Sequence, residues 1–104
     1  MNYRTLGKTN LSVSEFSLGT WQVGGKWGDP FNDQVAEGIL HAAIDAGVNF
    51  IDTADVYSAG ESERIVAKAL SGRRDQVVLA TKFYAPMGKD ANQMGGSRRW
   101  ITQA

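Results

Sequence analysis

Three observations predict an α/β fold built on a parallel sheet. Apolar runs that suit strands alternate with amphipathic stretches that suit helices, in the order strand, helix, strand, helix, strand. The distance from Phe16 to Phe50, roughly 33 residues, is that of one βαβ unit. Val77-Val78-Leu79-Ala80 is unbroken by any polar residue, the pattern of a parallel strand covered on both faces.

A short hairpin precedes these units, over residues 2–17. Tyr3-Arg4-Thr5-Leu6 leads into the turn cluster Gly7-Lys8-Thr9-Asn10, and Leu11-Ser12-Val13-Ser14 then alternates apolar with polar. Phe16-Ser17-Leu18 gives the first parallel strand, broken at Gly19. Residues 22–32 hold Gly24, Gly25, Gly28 and Pro30 and read as a loop. From Asp33 to about Ala46 the spacing predicts a helix whose apolar stripe is Val35, Ile39, Ala42, Ala43 and Ala46. Glu37, His41 and Asp45 form its polar stripe, which places His41 in solvent. Gly47 suits the C-cap. Phe50-Ile51 opens a strand ending near Asp52 or Thr53.

Ser58-Ala59-Gly60-Glu61 has capping-box spacing, with Ser62 as a competing N-cap. A second helix follows, burying Ile65, Val66, Ala69 and Leu70 and closed by Gly72. Gly88 to Gly96 is another polar loop, and Ser97 caps a third helix.

Composition narrows the function classes. The 104-residue chain is 42% hydrophobic and 21% charged, ordinary for one soluble globular domain. Eleven basic and eleven acidic residues cancel, so neither nucleic acid nor an anionic membrane surface is favoured as a partner. The absence of cysteine excludes disulfides, thiolate metal sites and cysteine nucleophiles. No leader pattern follows Met1 and no apolar run reaches the ~18 residues of a membrane span, so a cytoplasmic protein is expected.

The chemistry sits at two predicted strand ends. Asp52 and Tyr57 follow one apolar run, and Lys82 follows the next. Parallel strands bring their C-terminal ends to one rim, so the three can share a pocket. A phenol is a weak acid near pH 7, with an ordinary pKa of about 10, and a neighbouring ammonium makes it a better one. Asp52 would keep Lys82 charged and in place. Tyr57 could then protonate a carbonyl oxygen while hydride attacks the carbon. The plainer alternative is a structural Asp52–Lys82 ion pair beside a half-buried aromatic.

Four segments occur together and in order: Leu18-Gly19-Thr20-Trp21, Asn49-Phe50-Ile51-Asp52-Thr53-Ala54-x-x-Tyr57, Gly60-x-Ser62-Glu63 and Ala80-Thr81-Lys82. Over essentially residues 3–104 the chain resembles the aldo/keto reductase family, particularly the bacterial branch related to potassium-channel β-subunits. The resemblance implies a (β/α)8 barrel that reduces aldehydes or ketones with NADPH. Asp52, Tyr57 and Lys82 match three of the family's four catalytic positions. Gly19, Thr20 and Trp21, together with Asp52, match its nicotinamide end. A small-molecule carbonyl substrate is implied, and Trp27 is a candidate wall of its entrance. A non-catalytic regulatory or binding subunit of the same fold is the alternative.

The resemblance also implies that residues 1–104 are the N-terminal part of a single barrel domain: the hairpin plus about three of eight βα units. The fourth catalytic position, a histidine, and the adenosine phosphate site are expected after residue 104. His41 is not expected to replace that histidine. By itself, such a fragment is expected to be inactive and prone to association through open sheet edges.

Overall fold

In the computed structural model, residues 1–25 and 33–104 are described. The loop expected over 22–32 is thus described only to Gly25, and Trp27 lies outside the described residues.

Strands β1 (Tyr3–Thr5) and β2 (Ser12–Ser14) form the expected antiparallel hairpin, pairing Tyr3 with Ser14 and Thr5 with Ser12. Asn49 fastens the hairpin to the rest. Its side-chain oxygen accepts from Ser14 N–H at 2.7 Å, and its amide donates to the Ser12 carbonyl at 3.0 Å. Tyr3 adds a bond from its hydroxyl to the Gly47 carbonyl, 2.8 Å. Gly47 has φ 96°, and a Cβ there would stand 3.0 Å from the Tyr3 oxygen, so both backbone and space call for glycine.

The main sheet has three parallel strands: β3 (Leu18–Gly19), β4 (Phe50–Asp52) and β5 (Val78–Ala80), in that spatial order. Gly19 stands opposite Asp52, and Asp52 opposite Ala80. The first strand therefore starts and ends later than expected. Ser14 Oγ bonds the Phe16 carbonyl at 2.6 Å, which bends the chain and leaves Phe16 72% exposed. Gly19 joins the ladder because parallel pairing needs only its backbone.

Helices α1 (Asp33–Asp45) and α2 (Glu61–Ala69) join the strands, and α3 (Arg98–Gln103) follows the last one. The core is Leu40, Ile51, Val66, Ala69, Leu70 and Val77, with Leu18, Ile44 and Leu79 against it. Val23, Ala36 and Ile65 form a smaller cluster. The buried face of α2 is the expected one. Ser97 caps α3 as expected, its Oγ accepting from Trp100 N–H at 3.1 Å.

Helix α1 is rotated from the expected phase. Ala36 and Leu40 face inward, whereas Val35 and Ile39 are 53% and 44% exposed. Apolar residues occupy more than one side of this helix, and contact with α2 selects between them. His41 Nε2 lies 2.7 Å from the Ala69 carbonyl, Asp45 pairs with Arg73 at 2.8 Å, and Asp33 with Lys68 at 3.2 Å. Two members of the expected wet stripe, His41 and Asp45, thus bond α2 and the segment just after it. His41 is half-buried rather than solvated, because Ala69 carries one of the last helical carbonyls, which have no partner within their own helix.

Two further expectations are corrected. Neither Ser58 nor Ser62 caps α2: the N-cap is Gly60, at φ 92° and without a side-chain bond. Strand β5 is only half-buried along its length instead of covered on both faces. Among the described residues no helix is long and apolar enough to cross a membrane.

Candidate active site

Backbone hydrogen bonds continue past the strand ends and bring the chemical groups together. Thr20 N–H donates to the Asp52 carbonyl at 2.9 Å, and Thr53 N–H to Ala80 at 2.9 Å. Asp55 N–H reaches the Lys82 carbonyl at 3.1 Å, so the chain after β4 stays beside the chain after β5. Tyr57 follows on the same rim, at the start of a tight turn that is left-handed at Ser58 and Ala59.

Lys82 Nζ is the centre of the group. It donates to Asp52 Oδ2 at 2.6 Å, to the Thr53 carbonyl at 2.9 Å and to the Tyr57 hydroxyl oxygen at 3.0 Å. Three acceptors match the three hydrogens of an ammonium. The nitrogen also lies 4.8 Å from the Tyr57 ring centroid, within cation–π range. Partial burial opposes the charge on Lys82, but the hydrogen bonds and charges of Asp52 and Tyr57 outweigh it and raise the pKa above the ordinary lysine value. Lys82 therefore stays an ammonium across the physiological range.

The site is open to solvent. The side chains of Lys82 and Asp52 are 50% and 37% exposed, so this ion pair adds little stability, and its consequence is geometric. Because the phenol oxygen accepts from Lys82, its own proton is free for an outside acceptor. The arrangement can present a proton to a carbonyl oxygen and stabilise the oxyanion left on Tyr57.

Asp52, Tyr57 and Lys82 thus meet as the strand order anticipates. His41 is on α1, bonded to α2, and takes no part. Gly19 ends β3 beside Asp52, and Trp21 is 54% exposed just after it. Thr20 differs: it is 1% exposed, and its Oγ1 donates to the Asp52 carbonyl at 3.0 Å. Its carbonyl accepts from Val23 N–H and from Ser62, so its polar groups face inward. Two participants were not anticipated. The Thr53 carbonyl has no sequence signature, being backbone. Ser62, 0% exposed, bonds Thr20 from α2, and the signal for it was present in the Gly60-x-Ser62-Glu63 segment.

Comparison with known proteins identifies the family. The model of the aldo/keto reductase family matches residues 15–104. The chain is 42% identical, over 79% of its length, to the aldo-keto reductase YhdN of Bacillus subtilis (strain 168), covering 25% of that protein. It is 39% identical, over 99% of its length, to a probable voltage-gated potassium channel subunit beta of Oryza sativa subsp. japonica, covering 31% of it. Among solved structures, the holo form of aldo-keto reductase AKR11C1 from Bacillus halodurans superposes with a TM-score of 0.72 at 37% identity, over 86% of this chain and 29% of that one. The chain therefore spans between a quarter and a third of the length of these relatives.

Proposed function

Since the chain belongs to the aldo/keto reductase family, we propose that it carries the proton-donating half of an NADPH-dependent carbonyl reductase site. The observation that carries this reading is Lys82 Nζ, bound at once to Asp52, the Thr53 carbonyl and Tyr57 on an open rim. The three strands and two crossover helices would be the first part of a (β/α)8 barrel, in which sites form at the C-terminal strand ends. The protein would work in the cytoplasm on small aldehydes or ketones.

Tyr57 is the general acid. Its hydroxyl proton passes to the substrate's carbonyl oxygen as the carbonyl carbon takes up hydride, giving the alcohol. Lys82 stabilises the resulting phenolate, and Asp52 together with the Thr53 carbonyl holds Lys82. The reverse sequence oxidises an alcohol. NADPH, when bound, supplies the hydride. The residues present fit its nicotinamide end: Gly19 has no side chain, and a Cβ there would meet nothing within 4 Å, leaving room beside Asp52. The exposed indole of Trp21 offers a flat apolar surface next to it. Thr20, turned inward, supports this rim from beneath.

A second reading, a non-catalytic regulatory subunit, is favoured by the 39% identity to the rice channel subunit. Incubating the intact protein with NADPH and a simple aldehyde separates the two. The reductase reading expects NADPH oxidation that requires the aldehyde. NADPH binding without turnover of any aldehyde or ketone tried would select the subunit reading.

A further inference from the structure

The first turn of helix α2 carries two polar residues, Ser62 and Glu63, that reach different strand ends at the same rim. We propose that Ser62 and Glu63 are positioning residues that fix Lys82 against Asp52 and Tyr57. For turnover this inference rests on the reductase reading; for geometry it stands independently.

Ser62 is wholly enclosed. Its Oγ donates to the Thr20 carbonyl at 2.9 Å and lies 3.1 Å from Thr20 Oγ1 and 3.5 Å from Thr53 Oγ1. Thr20 in turn places two bonds on one atom, the Asp52 carbonyl oxygen: its N–H at 2.9 Å and its hydroxyl at 3.0 Å. The end of β4 is therefore fastened through Thr20 to α2. That end supplies two of the three acceptors of Lys82, the Asp52 carboxylate and the Thr53 carbonyl.

Glu63 does the same for the other strand. Its Oε1 accepts the hydroxyl of Thr81, the residue immediately before Lys82. One turn of α2 thus grips the segment carrying the acceptors and the segment carrying the donor. A serine serving only to satisfy a core hydroxyl would not require its neighbour to bond the opposite strand beside the lysine.

The local backbone supports this division of labour. A serine so near a helix start ordinarily caps it. Here Gly60 takes the N-cap at φ 92°, after Ser58 and Ala59 at φ 49° and 54°. The cap is made without a side chain, and Ser62 is left to face the strands.

The test is the titration of Lys82, followed by lysine-selective NMR of Cε and Nζ in the intact protein. The titratable groups bonded to Lys82 are Asp52 and Tyr57, and Glu63 stands one residue removed through Thr81. Glu63→Ala and Thr81→Val delete the same bond from its two ends, and each is expected to lower the Lys82 midpoint toward that of an ordinary lysine. Glu63→Gln keeps the acceptor while removing the charge, and is expected to leave the midpoint in place. Ser62→Ala tests the buried arm. Thr81→Val, at an exposed residue, keeps the inference testable if Ser62→Ala fails to fold. In turnover, Thr81→Val should lower kcat by about tenfold to a hundredfold with KM within about twofold.

An unchanged midpoint in both Glu63→Ala and Thr81→Val would overturn the inference. So would a Glu63→Gln shift equal to that of Glu63→Ala, which would make the effect one of charge alone. Lys82 responding as stated in a protein that never turns over would sink the reductase reading and leave the positioning intact. Turnover with an unresponsive Lys82 would do the opposite.

Discussion

Helices α1 and α2 both connect neighbouring parallel strands, yet they meet their surroundings differently. Helix α2 buries Ile65, Val66 and Ala69 on one face, continued by Leu70 at its C-cap, and holds the reactive rim with its first turn. Helix α1 buries only Ala36 and Leu40 and turns Val35 and Ile39 outward. Beside its apolar packing of Ala36 and Leu40, it makes polar ties from His41 and Asp33 to α2 and from Asp45 to Arg73 just beyond it. The same crossover role thus yields one helix that organises the site and one that backs the core. What separates them is where their polar residues fall relative to the strand ends.

The largest expected effect tests the shared core. Leu70→Ala at the C-cap of α2 and Leu40→Ala on α1, both at 1% exposure, should each destabilise by about 2–5 kcal/mol in urea unfolding of the intact protein. Ile39→Ala, at the neighbouring exposed position, should cost less than about 1 kcal/mol, since it removes little buried surface. Equal costs for Ile39→Ala and Leu40→Ala would show that another segment covers the outer face of α1, and the contrast between the helices would fail.

A smaller effect concerns the polar boundary. His41→Ala should cost about 0.5–1.5 kcal/mol, the net value of a hydrogen bond such as that to the Ala69 carbonyl. It should leave NADPH-dependent turnover unchanged, because His41 bonds the end of α2 and none of the partners of Lys82. Loss of turnover in a folded His41→Ala protein would place α1 in the site after all.

This comparison also marks what a sequence can convey. The hairpin, the strand–helix order and the face of α2 depend on local patterns, and Tyr3 to Ser14 and Ile65 to Leu70 follow them. The phase of α1 does not, since Val35 and Ile39 make as regular a stripe as Ala36 and Leu40. Only the position of α2 decides between them. Asp52, Tyr57 and Lys82 were legible because parallel strands share a rim and the surrounding segments are distinctive. The role of Ser62 is not legible, because a serine at a helix start looks the same whether it competes for the cap or bonds a neighbouring strand end. The Thr53 carbonyl could not be read, because every residue has one.

The smallest expected effect is on the pH dependence of stability. Lys82 has a raised pKa when folded, so its contribution is fully present below the ordinary lysine value, about 10.4. That contribution is lost as pH rises through the raised value. Lys82→Met should flatten this alkaline decline and leave stability near neutrality little changed, given the exposure of the pair. An unaltered alkaline limb in Lys82→Met would assign the decline to other groups.

The central claim is that Tyr57, held by Lys82 and Asp52, delivers the proton in carbonyl reduction. Substituting Tyr57→Phe in the intact protein removes that proton and keeps the ring. NADPH oxidation with a simple aldehyde should fall by about 10²–10⁴-fold, the worth of a general acid, while NADPH affinity stays within a few fold. A Tyr57→Phe protein that turns over at the wild-type rate would contradict the account.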